Sequence, residues 1–202
     1  MKTIAIEGTL RTEIGKKSTK ALRNNGLVPC VVYGGAQNVH FSATTQAFRD
    51  LIYTNEFRIA SVNVDGKSVN AIIKDVQFHP ITDKIMHIDF LELVENKKLI
   101  TQIPITLVGA PKGVKVGGVL MQKIRKVKVK TTPSNLSSSI NVDVAHLDLG
   151  KSIRIRDIKV SEEIEIMNAG GIPIASVEVP RALRSSTSKE AEAVAEEGNE
   201  EA

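Results

Sequence analysis

The sequence predicts a mainly β protein with short helices, and three observations predict it. Aromatic residues make up only 3% of the 202 (five Phe, two Tyr, no Trp), so the interior rests on Ile, Val and Leu, and β-branched residues suit the pleated, half-buried surface of a strand. Short runs that alternate apolar and polar side chains at period two recur along the chain. Gly, Pro, Asn and Ser punctuate them at turn spacing. A hydrophobic content of 42% with 25% charged residues is the balance of an ordinary folded protein.

Residues 2–11 alternate Ile4, Ile6 and Leu10 with polar neighbours and form the first strand. Ser18 is the expected N-cap of a short helix that stops at Asn24-Asn25-Gly26, with the glycine suited to a left-handed cap. Lys16, Lys20 and Arg23 recur at i, i+4 and i+7 there and share one side. Pro29 ends any helix, and Cys30-Val31-Val32-Tyr33 is a strand stopped by Gly34-Gly35. A second helix is expected from Thr45 to Thr54, with Phe48, Leu51 and Ile52 facing the core. Asp65-Gly66 marks a type I′ hairpin between strands Ser61–Val64 and Ser68–Gln77, because both turn positions need positive φ. Pro80–Lys84 makes a wider turn, and Ile85–Leu93 is the returning strand.

Around Val94–Lys98 the chain becomes more basic and helix signals thin out, which puts a domain boundary there. Residues 1–94 are expected to form one domain and residues 95–182 a second, nearly all-β one. Its strands are Leu99–Val108, Lys123–Thr131, Ser139–Val144, Ile153–Asp157, Glu163–Met167 and Ile174–Val179. Residues 183–202, rich in Ser, Ala and Glu, have too few apolar side chains to offset ordering entropy and are expected to be a disordered acidic tail.

The net charge of +4 is unevenly spread. Residues 1–95 carry 11 basic against 10 acidic residues, residues 96–184 carry 15 against 7, and residues 185–202 carry 1 against 6. Basic residues also cluster in residues 1–23, where Lys2, Arg11, Lys16, Lys17, Lys20 and Arg23 face only Glu7 and Glu13. Such patches attract polyphosphates through counterion release. A solvated surface carries the same charges, so charge alone does not decide.

Several activities fall away on spacing. Gly15-Lys16-Lys17-Ser18 matches the end of a P-loop, but that motif needs a glycine at position 10, which is Leu10. His79 and His87 have no third ligand at metal-binding spacing, and one cysteine cannot build a cysteine-rich zinc site. Cys30 sits in an apolar run as a small hydrophobe, and no serine lies in a nucleophile elbow. The expectation is a protein without catalytic residues or cofactor. No apolar run nears the roughly 18 residues of a membrane span, and Glu7 interrupts any signal-peptide core, so the expected location is the cytoplasm, off the membrane.

One constellation survives. In Ile85-Met86-His87-Ile88-Asp89-Phe90, alternation sends Met86, Ile88 and Phe90 to one face and His87 and Asp89 to the other. Beside clustered Arg11, Lys16, Lys20 and Arg23, and with Tyr33 at a strand end, the pair is a candidate RNA surface. Cations and neutral donors suit phosphates and 2′-hydroxyls, and a ring suits an exposed base.

These residues carry a family resemblance. The stretch Leu10-Arg11-Thr12-Glu13-Ile14-Gly15-Lys16 to Leu22-Arg23, continuing through Gly26-Leu27-Val28-Pro29 to Val32-Tyr33-Gly34-Gly35, closely resembles the N-terminal signature of bacterial large-subunit ribosomal protein twenty-five, also called the general stress protein CTC family. Asp75-Val76-Gln77-Phe78-His79-Pro80, then His87-Ile88-Asp89-Phe90, resembles its second signature, and the basic part after residue 95 resembles the extension of the long, two-domain members. The resemblance implies an N-terminal six-stranded β-barrel followed by a second β-domain. It also implies binding of 5S ribosomal RNA at loop E, within the central protuberance of the large ribosomal subunit, by a protein that is a monomer when free.

The RNA-contacting positions it implies are Arg11, Lys16, Thr19, Lys20, Arg23, Tyr33, Gln77, His87 and Asp89. The family usually has arginine at the position of Lys20, and lysine keeps the charge but loses the planar fork, so a phosphate suits it better than a base edge. Asp89 either accepts from base amino groups or 2′-hydroxyls, or holds His87 and a neighbouring cation in place. The alternative function is a stress-associated module that engages proteins through the basic β-domain and touches RNA only nonspecifically.

Overall fold

The computed structural model describes residues 1–95, 97–158, 160 and 163–180. Within them the chain is mostly strand with short helices, and it begins with a closed barrel. The barrel strands are β1 (Thr3–Leu10), β2 (Leu27–Tyr33), β3 (Val39–Thr44), β4 (Ile59–Val64), β5 (Lys67–Phe78) and β6 (Ile85–Glu92). They close in the order β1-β3-β2-β6-β5-β4, with β1/β4 and β2/β6 parallel and the other pairs antiparallel.

Alternation fills the interior. Ile6, Val28, Cys30, Val32, Phe41, Val62, Ile88 and Phe90 point inward and are buried. Three rings make the centre, with Phe90 at 5.8 Å from Phe41 and 6.1 Å from Phe48 between centroids, a tilted packing that favours aromatic pairs. Gly8 of β1 lies against the Phe41 ring, which an added Cβ would overlap. The glycine thus lets the first strand close the barrel over a bulky neighbour.

The hairpin at Asp65-Gly66 has φ of 49° and 78°, as the type I′ prediction requires. Elsewhere local chemistry departs from expectation. Helix α1 (Lys16–Asn24) starts two residues before Ser18, with Gly15 at the cap and no side-chain cap bond. The Ser18 hydroxyl instead donates to the Glu13 carbonyl at 3.5 Å, and the Thr19 hydroxyl donates back to Gly15 O at 2.8 Å. The expected second helix is a 3-10 turn (Thr45–Phe48) followed by one turn of helix, α2 (Arg49–Ile52), and it drives Phe48 and Leu51 inward. Pro29 lies inside β2 rather than before it. Only β3 pairs with β2 at that point, since pairing with β6 begins at Cys30, so the missing N–H leaves no ladder position empty on the second side.

Further along run β7 (Leu99–Val108), helix α3 (Lys112–Lys115), β8 (Val119–Gln122), β9 (Lys126–Thr131), β10 (Ile140–Asp143), β11 (Ser152–Arg154), β12 (Glu165–Ile166) and β13 (Pro173–Glu178). They form sheets of order β10-β7-β9-β12 and β11-β13-β8. The run expected over Lys123–Thr131 begins only at Lys126, and Ile153–Asp157 gives two strand residues, Ile153 and Arg154, and a 3-10 turn (Ile155–Asp157), because the Asp157 carboxylate accepts from the Arg154 N–H.

The chain divides into two compact units. The first gathers Met1–Pro104 with Lys128–Ser139 and a short segment ending at Ile166; the second holds Ile105–Val127 and, among the described residues, those of 140–180 outside that segment. In the first, Ile72 on the outside of the barrel is covered by Leu99 and Leu136, with Phe57, Ile59, Leu91 and Leu93 alongside. The expected acidic tail, residues 183–202, lies outside the described residues.

Two outcomes test this fold. Gly8→Ala forces either β1 or the fully buried Phe41 to move, and chemical denaturation is expected to show a loss of about 1–3 kcal/mol; an unchanged midpoint would mean the seam has room. Glu56 bonds to Lys2 at 3.3 Å and to Arg58 at 3.1 Å, just before the paired β1 and β4. The Arg58 and Lys2 hydrogen bonds, aided by the Lys2 charge, lower its pKa. A lowered carboxyl pKa stabilises the fold above the unfolded value and loses that contribution as pH falls through the folded value. Glu56→Gln is therefore expected to lower Tm slightly at neutral pH, with the difference shrinking as pH falls below the ordinary value of 4.5 and gone only below the lower folded value.

Candidate nucleic-acid interface

The alternation that buries Ile88 and Phe90 turns His87, Asp89 and Leu91 outward on β6. Its neighbours bring matching residues alongside. On β5, Gln77 pairs with His87 and Asp75 with Asp89; on β2, Val31 pairs with Asp89 and Tyr33 with Leu91. Tyr33, Gln77, His87 and Asp89 therefore occupy one outer patch spanning three adjacent strands.

Within it, His87 Nδ1 and Asp89 Oδ1 are 2.7 Å apart, with both side chains about 30% exposed. A carboxylate oxygen only accepts, so Nδ1 carries the shared proton and Nε2 remains as the ring's second hydrogen-bonding atom. The Tyr33 hydroxyl is held above its ordinary pKa, first by burial, then by the charges of Asp89 and Asp75. It is a neutral donor at physiological pH. Asp75, absent from the positions the sequence points to, thus joins the patch; its outward place on β5 two residues before Gln77 is the signal that could find it.

Helix α1 borders this patch. Arg23 Nε donates to the Met86 carbonyl at 3.0 Å and ties the helix to β6 one residue before His87. Helical spacing sets Lys16, Thr19 and Lys20 on the same stripe as Arg23. Lys16, Lys17 and Lys20 are exposed and form no ion pair among the described residues. The Thr19 hydroxyl donates within its own helix, which leaves only its lone pairs for a partner.

Arg11 follows β1, where its N–H bonds to the His40 carbonyl on β3. One guanidinium nitrogen donates to Glu13 O at 3.3 Å, while Nε is buried without a protein partner. Arg11 also bears electrostatically on Cys30, whose thiol burial pushes far above its ordinary range. That thiol is an inert part of the core. The structure thus brings Arg23, Tyr33, Gln77, His87 and Asp89 together, sets Lys16, Thr19 and Lys20 on the adjoining helix, and anchors Arg11 at the barrel seam.

His79 is occupied otherwise, its Nδ1 accepting from the Ile81 and Thr82 N–H groups to shape a turn. Among the described residues no group of three or more His, Cys, Asp or Glu could hold a metal, and no helix is long and apolar enough to cross a membrane. What the barrel and this surface define is a binding protein, with a stiff scaffold and a mixed cationic and polar face.

Comparison with known proteins gives the family. Residues 6–90 match the Ribosomal L25p family, and residues 98–181 match the Ribosomal protein TL5, C-terminal domain. Three relatives are each described as large ribosomal subunit protein bL25. That of Phocaeicola vulgatus is 41% identical over 91% of this chain and 96% of its own length. That of Amoebophilus asiaticus is 42% identical over 91% and 93%, and that of Cytophaga hutchinsonii 40% over 91% and 95%. The chain belongs to the ribosomal L25p family, in its long, two-domain form. Like its relatives it is a bacterial, cytoplasmic ribosomal protein.

The Arg23 anchor makes its own prediction. Arg23→Ala removes a charged donor from a partly buried carbonyl, and a loss on the order of 1–2 kcal/mol is expected, together with faster amide exchange across α1. Unchanged exchange in α1 would show that the helix is held by other contacts.

Proposed function

We propose that this protein is a non-catalytic constituent of the large ribosomal subunit that binds 5S ribosomal RNA at loop E, in the central protuberance. In this reading residues 1–94 form the RNA-binding domain and residues 95–182 a basic second domain. The observation that carries it is the His87–Asp89 pair, bonded at 2.7 Å and held beside Tyr33, Gln77 and Arg23 on a closed barrel. A site of this kind is built before its partner arrives, so little ordering entropy opposes docking.

The surface divides into two chemistries. Lys16, Lys20 and the stripe they occupy suit the phosphates of a helix, which position the protein without reading sequence. The patch of Tyr33, Gln77, His87 and Asp89 suits base edges and 2′-hydroxyls instead. Carboxylates repel phosphate and accept from amino and hydroxyl groups, so Asp75 and Asp89 favour a groove or an opened stretch over a backbone. Arg11, with a buried Nε lacking a protein partner, offers the rest of its guanidinium for a bidentate contact.

Filter binding to a 5S rRNA fragment and to an unrelated RNA duplex of equal length, across a salt series, tests this. The unaltered protein is expected to prefer the 5S fragment. Lys16→Ala is expected to weaken both complexes and reduce the salt slope by about one unit. His87→Ala and Arg11→Ala are expected to cost about 1–3 kcal/mol on the 5S fragment and to erode the preference. His87→Ala should do so with Tm unchanged, because the side chain faces outward. Equal binding of the unaltered protein to both RNAs would overturn the proposal.

A further inference from the structure

Strand β9 carries a second set of cations. Its six residues alternate strictly: Val127, Val129 and Thr131 are buried, Lys126 and Lys128 are exposed, and Lys130 is half-buried. Exposed Arg125 directly precedes them. Side chains two apart on a strand repeat every ~6.6–6.8 Å, comparable with the step between successive phosphates along a nucleic-acid chain. An ion pair joins Lys130 of this row to Glu165 of β12 at 3.6 Å, with the carboxylate largely exposed. A pair so open to water is weakly held and readily exchanged for another anion.

The chemistry of the row selects its partner. Protein interfaces draw their energy from buried aromatic, Arg and Met anchors and are depleted in lysine, and the outward positions of β9 offer lysine alone. Lysine is a compact point charge without the fork that reads guanine, so a row of it engages a backbone rather than base edges. In the sequence, residues 96–184 carry 15 basic against 7 acidic side chains, a balance that attracts polyanions.

We propose that Lys126, Lys128 and Lys130 of β9 form a second RNA contact that grips consecutive phosphates without reading sequence, while the barrel face supplies specificity. The choice of RNA as the polyanion rests on the ribosomal function proposed above.

The test uses the full chain with Lys126, Lys128 and Lys130 all changed to Gln, bound to a mixed-sequence RNA duplex and to the 5S fragment across a salt series. The salt slope is expected to fall by about two to three units on both RNAs, with the ratio of the two affinities and Tm unchanged. The single variant Lys126→Gln is expected to lower the slope by about one. Changing all three lysines to Arg is expected to restore the slope, since the contact needs charge and not lysine's shape. An unchanged slope in the triple Gln variant, or no recovery with Arg, overturns the proposal. Absence of 5S preference in the unaltered protein would count against the function proposed above and leave the slope measurement on the duplex able to decide this one.

Discussion

The register of β6 between β5 and β2 is the constraint on which the rest depends. Because the side-chain period of a strand is two, a slip of one residue would carry His87 and Asp89 into the barrel and expel Ile88 and Phe90. Burial of those two, with Phe90 wedged between Phe41 and Phe48, makes that slip costly. Hydrophobic packing on the inside thereby sets the position of every polar group on the outside. The parallel pairing of β2 with β6 extends that order to Tyr33, and the antiparallel pairing of β5 extends it to Gln77 and Asp75. Stability and the proposed recognition draw on opposite faces of the same three strands.

Charge is organised around the same frame. Helix α1 is held to β6 through Arg23, and its lysines extend the surface with cations that are not neutralised by ion pairs among the described residues. Beside them, Asp75 and Asp89 add negative charge, which a surface selected only for binding a polyanion would lack. Under the proposed function the mixture trades affinity for discrimination, since a phosphate placed over the carboxylates is repelled while a base amino group is not.

Much of this is legible in the sequence. The alternation in His87–Phe90 carries the inward and outward faces of β6, although at the strand's start Ile85 and not Met86 joins the core; Asp65-Gly66 carries the β4–β5 turn, and the scarcity of aromatics carries the β-rich core. Three features escape, each for its own reason. Strand β3, with His40, Ser42 and Thr44 around Phe41 and Ala43, alternates as a strand should, but its polar positions give it the composition of a loop. Pro29 reads as punctuation because sequence does not reveal that β2 has one neighbour at that point. Serine is a favoured cap, which points to Ser18 as the start of α1, whereas the Ser18 and Thr19 hydroxyls are spent on the carbonyls of Glu13 and Gly15. Within the site, the family resemblance names the residues, and only the strand pairing shows that Asp75 stands beside Asp89.

The most direct test is an NMR titration of the full-length protein with a 5S rRNA loop E fragment, following backbone amides. The account predicts the largest shifts on β6 at His87 and Asp89, on β5 at Gln77, at Tyr33 and along α1, with the barrel's inward residues little changed. Shifts confined to the opposite strands, β1 and β4, with β6 and α1 unmoved, would contradict it.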